Sequence, residues 1–123
     1  MRWINELTGC TETTATATAC LGENDFAVAD GRVLETALVE CMAQTMGAAL
    51  GQRTLTGGGK GRMVPDGMLV AVSNFKIGSR PEAGKTLHIE IRETRRLGPM
   101  LMITGTIACD GQTVATGELS LYV

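Results

Sequence analysis

Aromatic residues are scarce in this 123-residue chain, which has one Trp, one Tyr and two Phe, 3% of the total. So few ring faces exclude a base-stacking platform for single-stranded nucleic acid. There is no excess of basic charge either: 11 Lys and Arg against 13 Asp and Glu leave a formal net charge of -2, so no positive field draws a polyanion. No uninterrupted apolar run reaches ~18 residues, so no membrane-spanning helix is expected. The first residues, Met1-Arg2-Trp3-Ile4-Asn5-Glu6, lack the apolar core of a secretory signal, and a cytoplasmic location is expected. Histidine is nearly absent, with His88 alone, and no two of Cys10, Cys20, Cys41 and Cys109 have Cys-x-x-Cys spacing. Neither a metal site nor a cofactor is expected, and the thiols read as reduced and mostly buried. Two glycine-lysine stretches fail as phosphate loops. Gly57-Gly58-Gly59-Lys60 runs into Gly61, and Gly84-Lys85-Thr86 has Ser79 where the first glycine is required.

The length suits one domain with one core, spanning residues 1–123. Its most apolar segment runs from Val33 to Leu50, without Pro and rich in Ala, Leu, Met, Glu and Gln, which predicts a helix ending near Gly51. That helix is apolar on nearly every face, so it is expected to be covered almost all round. Glu40 and Gln44 lie four residues apart and share a stripe. A carboxylate in such surroundings is costly unless it is paired, hydrogen-bonded or used.

Ahead of the helix, Trp3–Leu7 reads as a short strand or a single helical turn, broken by Gly9. Thr14–Ala19 alternates with period two and reads as a strand. The stretch Gly22-Glu23-Asn24-Asp25 is a turn-rich loop, and Phe26–Arg32 is irregular. After the helix, Gln52–Arg62 reads as the most flexible stretch and Pro65-Asp66-Gly67 as a turn. Strands are expected over Met68–Phe75, around Leu87–Ile91, over Met100–Cys109 and over Thr113–Val123, with Asp110-Gly111 as a two-residue hairpin turn. Strand, long helix and four more strands predict an α+β domain with an antiparallel sheet packed on the helix. A partner subunit is expected to cover what the sheet leaves open.

Leu38-Val39-Glu40-Cys41-Met42-Ala43-Gln44 resembles the helix motif of the 3-hydroxyacyl-acyl carrier protein (ACP) dehydratases of the hotdog fold. Phe75-Lys76 and Pro81-Glu82-Ala83-Gly84-Lys85 resemble the strand end and turn that follow in those families, and Asp110-Gly111 their final hairpin. The Phe26–Val33 stretch is similar to the predicted dehydratases linked to aryl polyene biosynthesis. The resemblance implies a hotdog fold, a homodimer or an assembly of dimers, and an acyl-ACP or acyl-CoA thioester as ligand. Its motif is specific at the helix and loose elsewhere.

One departure bears on chemistry. Active dehydratases of the main families carry a His-Phe-Pro motif before the helix, whereas here Asp25-Phe26 stands at that place. The Pro-Gly that opens the family's helix is replaced by Leu34-Glu35, whose Glu35 N–H remains able to polarise a carbonyl. His88 alternates with buried-type Leu87 and Ile89 and is expected to face solvent. The candidate catalytic residues are therefore Glu40, with Gln44 orienting it and Asp25 or water replacing the imidazole. The opposing reading makes Glu40 an inherited buried residue and Asp25 a loop carboxylate. Phe26, Glu35, Leu38, Met42, Met46 and Phe75 are candidate acyl contacts, although the Met and Leu positions serve equally as core. Arg32, Lys76, Arg80 and Lys85 are candidate contacts to the phosphopantetheine phosphate or an acidic carrier. Three functions fit: a dehydratase of weak or lost activity, a hotdog thioesterase with Glu40 as base, and a non-catalytic dehydratase subunit.

Overall fold

The computed structural model describes residues 3–22, 25–56 and 68–122, the side chains of 52–56 and 68–70 excepted. Of the expected flexible stretch Gln52–Arg62, the first five residues, Gln52–Thr56, instead continue the helix, and Gly57–Arg62 lie outside the described residues, as do the Pro65-Asp66-Gly67 turn, Glu23, Asn24 and Val123. The elements are β1 (Ile4–Cys10), β2 (Thr14–Cys20), β3 (Val28–Ala29), β4 (Arg32–Val33), α1 (Glu35–Thr56), β5 (Met68–Ile77), β6 (Thr86–Leu97), β7 (Met100–Cys109) and β8 (Gln112–Tyr122). Six strands form one antiparallel sheet in the order β1-β2-β6-β7-β8-β5, and β3 and β4 make a separate two-stranded hairpin. No helix among the described residues is long and apolar enough to cross a membrane.

Period-two alternation decides which face of the sheet meets the helix. Ala15, Ala17 and Ala19 of β2, Leu87, Ile89 and Ile91 of β6, Leu101, Ile103 and Ile107 of β7, and Ala115, Leu119 and Leu121 of β8 are all buried. Their neighbours, among them His88, Glu90, Arg92, Thr104 and Glu118, are exposed on the outer face. The alanines of β2 leave room for the helix backbone to approach closely. At Gly105 the approach is closer still, since a Cβ there would lie 2.5 Å from Met42 Sδ. Gly117, paired with Gly105, makes the same room for Phe75. Phe75 reaches that place through a bulge in which Asn74, at φ 51°, and Phe75 together face Gly117. The bulge is held by Asn74 Nδ2 and Ser73 Oγ, which donate to Glu118 Oε2 at 3.0 and 3.4 Å.

Three elements differ from the expectations. The first strand runs on through Gly9 to Cys10, with its pairing to β2 shifted in register between Leu7 and Gly9, and Gly9 packs where a Cβ would meet Thr16 Oγ1 at 2.9 Å. The stretch read as irregular contains the β3–β4 hairpin, turned at Asp30 and Gly31, both with positive φ. The helix continues past Gly51 to Thr56; an interior Gly costs only ~1 kcal/mol, which flanking helix formers offset.

The sheet covers one side of α1. Ala37, Leu38, Cys41, Met42, Thr45, Met46 and Ala49 are fully buried against it. Thr45 is tolerated there because its hydroxyl donates to the Cys41 carbonyl at 2.7 Å. On the other side Val39, Glu40, Ala43, Gln44, Gly47 and Leu50 are only half-buried. The helix is thus apolar on nearly every face, with one side fully buried and the other half-buried among the described residues.

Candidate functional site

Glu40 stands in the second turn of α1 on the side turned away from the sheet, half-buried. Gln44, one turn on, donates from Nε2 to Glu40 Oε1 at 3.4 Å. Its Oε1 accepts the main-chain N–H groups of Trp3 at 2.7 Å and Ile4 at 3.3 Å. Two donors on Oε1 settle the orientation of the amide, so its NH2 end must face the carboxylate. Beyond Gln44, no described residue bonds to the Glu40 carboxylate.

Asp25 lies in the turn leading to β3 and is half-buried. Its Oδ1 accepts the Ala27 N–H at 3.0 Å, an Asx turn that shapes the loop. The Asp25 carbonyl accepts the Val28 N–H at 3.0 Å. Phe26 projects from this turn with 68% of its surface exposed. Its ring packs on Trp3, with centroids 5.6 Å apart and planes tilted by 54°. Asp25 and Glu40 act on one common neighbour: burial, then the Glu40 charge, then the Asp25 charge push the Cys41 thiol up to about 12. A thiol held protonated in this way is no nucleophile.

The structure therefore gathers Glu40, Gln44, Asp25 and Phe26 around one flank of the helix. Trp3, which the sequence reading did not single out, joins them, because its main chain anchors Gln44. That contact spans 41 residues and leaves no mark in local patterning. Leu38, Met42 and Met46 lie elsewhere, fully buried on the sheet side of α1. Positions two apart on a helix point about 200° apart, so Met42 and Glu40 face nearly opposite ways. Phe75 fills the space over Gly117. Glu35 is exposed at the helix N-terminus, where its charge suits the dipole. His88 is exposed on the outer face of β6, paired with Thr18 and Ala108.

Of the basic candidates, Arg32 Nη1 donates to the Arg80 carbonyl at 2.8 Å, so the two share one corner of the molecule. Lys76 is exposed near the end of β5. Lys85 is engaged by Asp110 and Glu82, and its hydrogen bond to Asp110 raises its pKa. Among the described residues, no group of three or more His, Cys, Asp and Glu could hold a metal ion.

The family model for the ApeP dehydratases matches residues 1–123, the whole of this chain. The chain belongs to the ApeP-like dehydratase family. Solved structures agree on the architecture. A chain of the dehydratase heterocomplex ApeI:P from Xenorhabdus doucetiae superposes with a TM-score of 0.86 at 18% identity, covering 98% of this chain and 82% of that one. A hypothetical thioesterase with coenzyme A from Streptococcus pneumoniae gives 0.72 at 14% identity, covering 96% and 86%. Thioesterase superfamily member 2 from Mus musculus gives 0.71 at 12%, covering 95% and 80%. No curated protein matches in sequence. The fold of this ApeP-like protein is the hotdog fold, an antiparallel sheet wrapped on one long helix. Its family is a dehydratase family, and thioesterases share the architecture.

Proposed function

We propose that this ApeP-like chain is the carboxylate-bearing subunit of a 3-hydroxyacyl-thioester dehydratase, completed by a second hotdog subunit that supplies an imidazole. One observation carries the reading. Glu40 is oriented by Gln44 on the flank of α1 that the chain leaves half-open, while the chain's sole histidine sits on the outer face of the sheet. One half of an acid–base pair is present and the other is not.

The open surface supports a partner. Val39, Ala43, Gly47 and Leu50 beside Glu40 are half-buried, and Val72, on the inner face of the edge strand β5, is 40% exposed. A second subunit over this flank would exclude water and bring its own side chains opposite Glu40. The similar structure whose name records two different dehydratase chains suggests a heteromer. A homodimer of this chain would bring no imidazole to Glu40, because its sole histidine, His88, is exposed on the outer face of the sheet.

In the proposed reaction a base takes the proton from the carbon next to the thioester carbonyl, the electron pair forms the carbon–carbon double bond, and the 3-hydroxyl leaves as water with a proton from the acid. The thioester carbonyl accepts a main-chain N–H near the helix N-terminus, with Glu35 placed to provide it, which acidifies the α-proton. The partner imidazole takes that proton, and Glu40 serves as the acid that gives one to the departing hydroxyl. Asp25 is tied into its own loop and serves mainly to shape it. Phe26 borders the acyl path. Arg32, Arg80 and Lys76 receive the phosphopantetheine phosphate, carried on ACP or CoA.

The test uses the chain alone and the chain mixed with a His-bearing hotdog subunit from the same organism. Each sample receives 3-hydroxyacyl-ACP and 3-hydroxyacyl-CoA, and enoyl absorbance is followed. The expected result is elimination by the mixture, little by either chain alone, and a loss of at least ~100-fold with Glu40→Gln, the scale of a general acid–base contribution. Full activity of Glu40→Gln overturns the role of Glu40. Elimination by the chain alone removes the partner from the reading, and release of free thiol without enoyl product replaces dehydration by thioester hydrolysis.

A further inference from the structure

Resting on the reading of Glu40 as the reacting carboxylate, we propose that Trp3 is a positioning residue for Glu40, acting through Gln44 and locked in place by Phe26. The contacts form a continuous series. The Phe26 ring packs on Trp3, the Trp3 N–H and the Ile4 N–H hold Gln44 Oε1, and Gln44 Nε2 meets Glu40 Oε1. Trp3 stands just ahead of β1, and the end of a strand opens readily unless something ties it down. Phe26 and Gln44 tie it from two sides.

The geometry makes the dependence one-way. Gln44 does not orient itself, because an amide can present either its oxygen or its NH2 to a neighbour. The two N–H groups of the β1 start select the oxygen, leaving the NH2 for the carboxylate. If β1 opens at residue 3, Gln44 loses the shorter of the two hydrogen bonds that the start of β1 gives its oxygen, and its placement loosens. Glu40 then loses the one donor that fixes it among the described residues. Precise placement of an acid–base group is worth much more in rate than in stability. Ring contact therefore matters to chemistry through Gln44, without Trp3 meeting the substrate.

Trp3 is also the only tryptophan in the chain, so its emission reports the state of this series directly. A 3-hydroxyacyl pantetheine amide, in which nitrogen replaces the thioester sulfur, serves as a probe that binds without reacting.

The experiment measures four quantities in the dehydratase assembly carrying Trp3→Ala, Trp3→Leu or Trp3→Phe. These are kcat and KM for the 3-hydroxyacyl thioester, the thermal midpoint, and the carbon-13 signal of the Glu40 carboxyl in labelled protein. Trp3→Ala is expected to lower kcat about tenfold or more with KM within about twofold, the size of effect seen for residues that orient a reacting group. Trp3→Phe, which keeps a ring against Phe26, restores most of kcat. The Glu40 signal moves in Trp3→Ala and returns in Trp3→Phe. In the wild type, the amide probe shifts Trp3 emission. Trp3→Leu keeps apolar bulk and stands in if Trp3→Ala does not fold. Wild-type kcat in Trp3→Ala or Trp3→Leu overturns the proposal, as does a fall in kcat matched by the loss of folded protein with no change in the Glu40 signal. If the wild type proves inactive, the dehydratase reading fails, and the Glu40 signal still decides whether Trp3 positions that carboxylate.

Discussion

Met42 lies directly on Gly105: a Cβ added to that glycine would sit 2.5 Å from Sδ, 3.0 Å from Cγ and 3.3 Å from Cε. Met42 is fully buried, so its thioether has little space into which to retreat. Gly105→Ala is expected to destabilise the protein by about 1–3 kcal/mol, the usual cost of overpacking a filled core. Combined with Met42→Ala, it is expected to cost less than the sum of the two single changes, because the second removes the obstacle met by the first. Urea unfolding of the four proteins of the cycle measures both effects. Strictly additive losses would show that Gly105 is required for some other reason.

Gln44 joins stability to chemistry. Gln44→Leu strips the acceptor from the Trp3 and Ile4 N–H groups and the donor from Glu40. A loss of about 1–3 kcal/mol is expected, the cost of leaving buried polar groups unpaired and less where water reaches them. Turnover should fall further than this destabilisation explains, which comparison of kcat with the fraction folded at the assay temperature reveals.

Cys41 makes stability sensitive to alkaline pH. Its thiol is pushed up from 9.0 to about 12 in the folded protein, first by burial and then by the charges of Glu40 and Asp25. Above pH 9 the unfolded chain ionises and the folded one does not. The stabilisation is therefore whole below pH 9 and drains away as pH rises towards 12, at up to about 1.4 kcal/mol for each pH unit. In Cys41→Ala the slope of unfolding free energy over that window should be smaller by about this amount. Alkylation at mild pH tests the same burial: iodoacetamide should label the exposed Cys20 in the folded protein and leave Cys41 unmodified until unfolding.

His88→Ala should leave dehydration by the assembly within about twofold of wild type, because His88 is exposed on the outer face of β6, away from the helix. Steady-state kinetics check this. A large loss would place the missing imidazole in this chain after all and remove the reason for a His-bearing partner.

Some of this was legible before any coordinates. The alternation of Leu87, Ile89 and Ile91 with His88, Glu90 and Arg92 reads directly as a half-buried strand, and it is one. Asp110-Gly111 signals its hairpin because the tight turn needs positive φ at both places, and both have it, 54° and 76°. The β3–β4 hairpin went unread because two-residue strands are too short for any period to appear. The break expected at Gly9 fails because contact with Thr16 across the sheet favours a residue without a side chain.

Local periodicity and residue identity alone dictated the long apolar helix with Glu40 and Gln44 on one stripe, the longer strands on either side of it, and the want of a histidine before it. Which side of a uniformly apolar helix the sheet would cover has no local signature. Packing alone decided that Leu38, Met42 and Met46 turn inward and Glu40 outward. The hold of the first strand on Gln44 was likewise settled in three dimensions, since main-chain N–H groups are the same at every residue and only folding brings one pair of them to one amide oxygen.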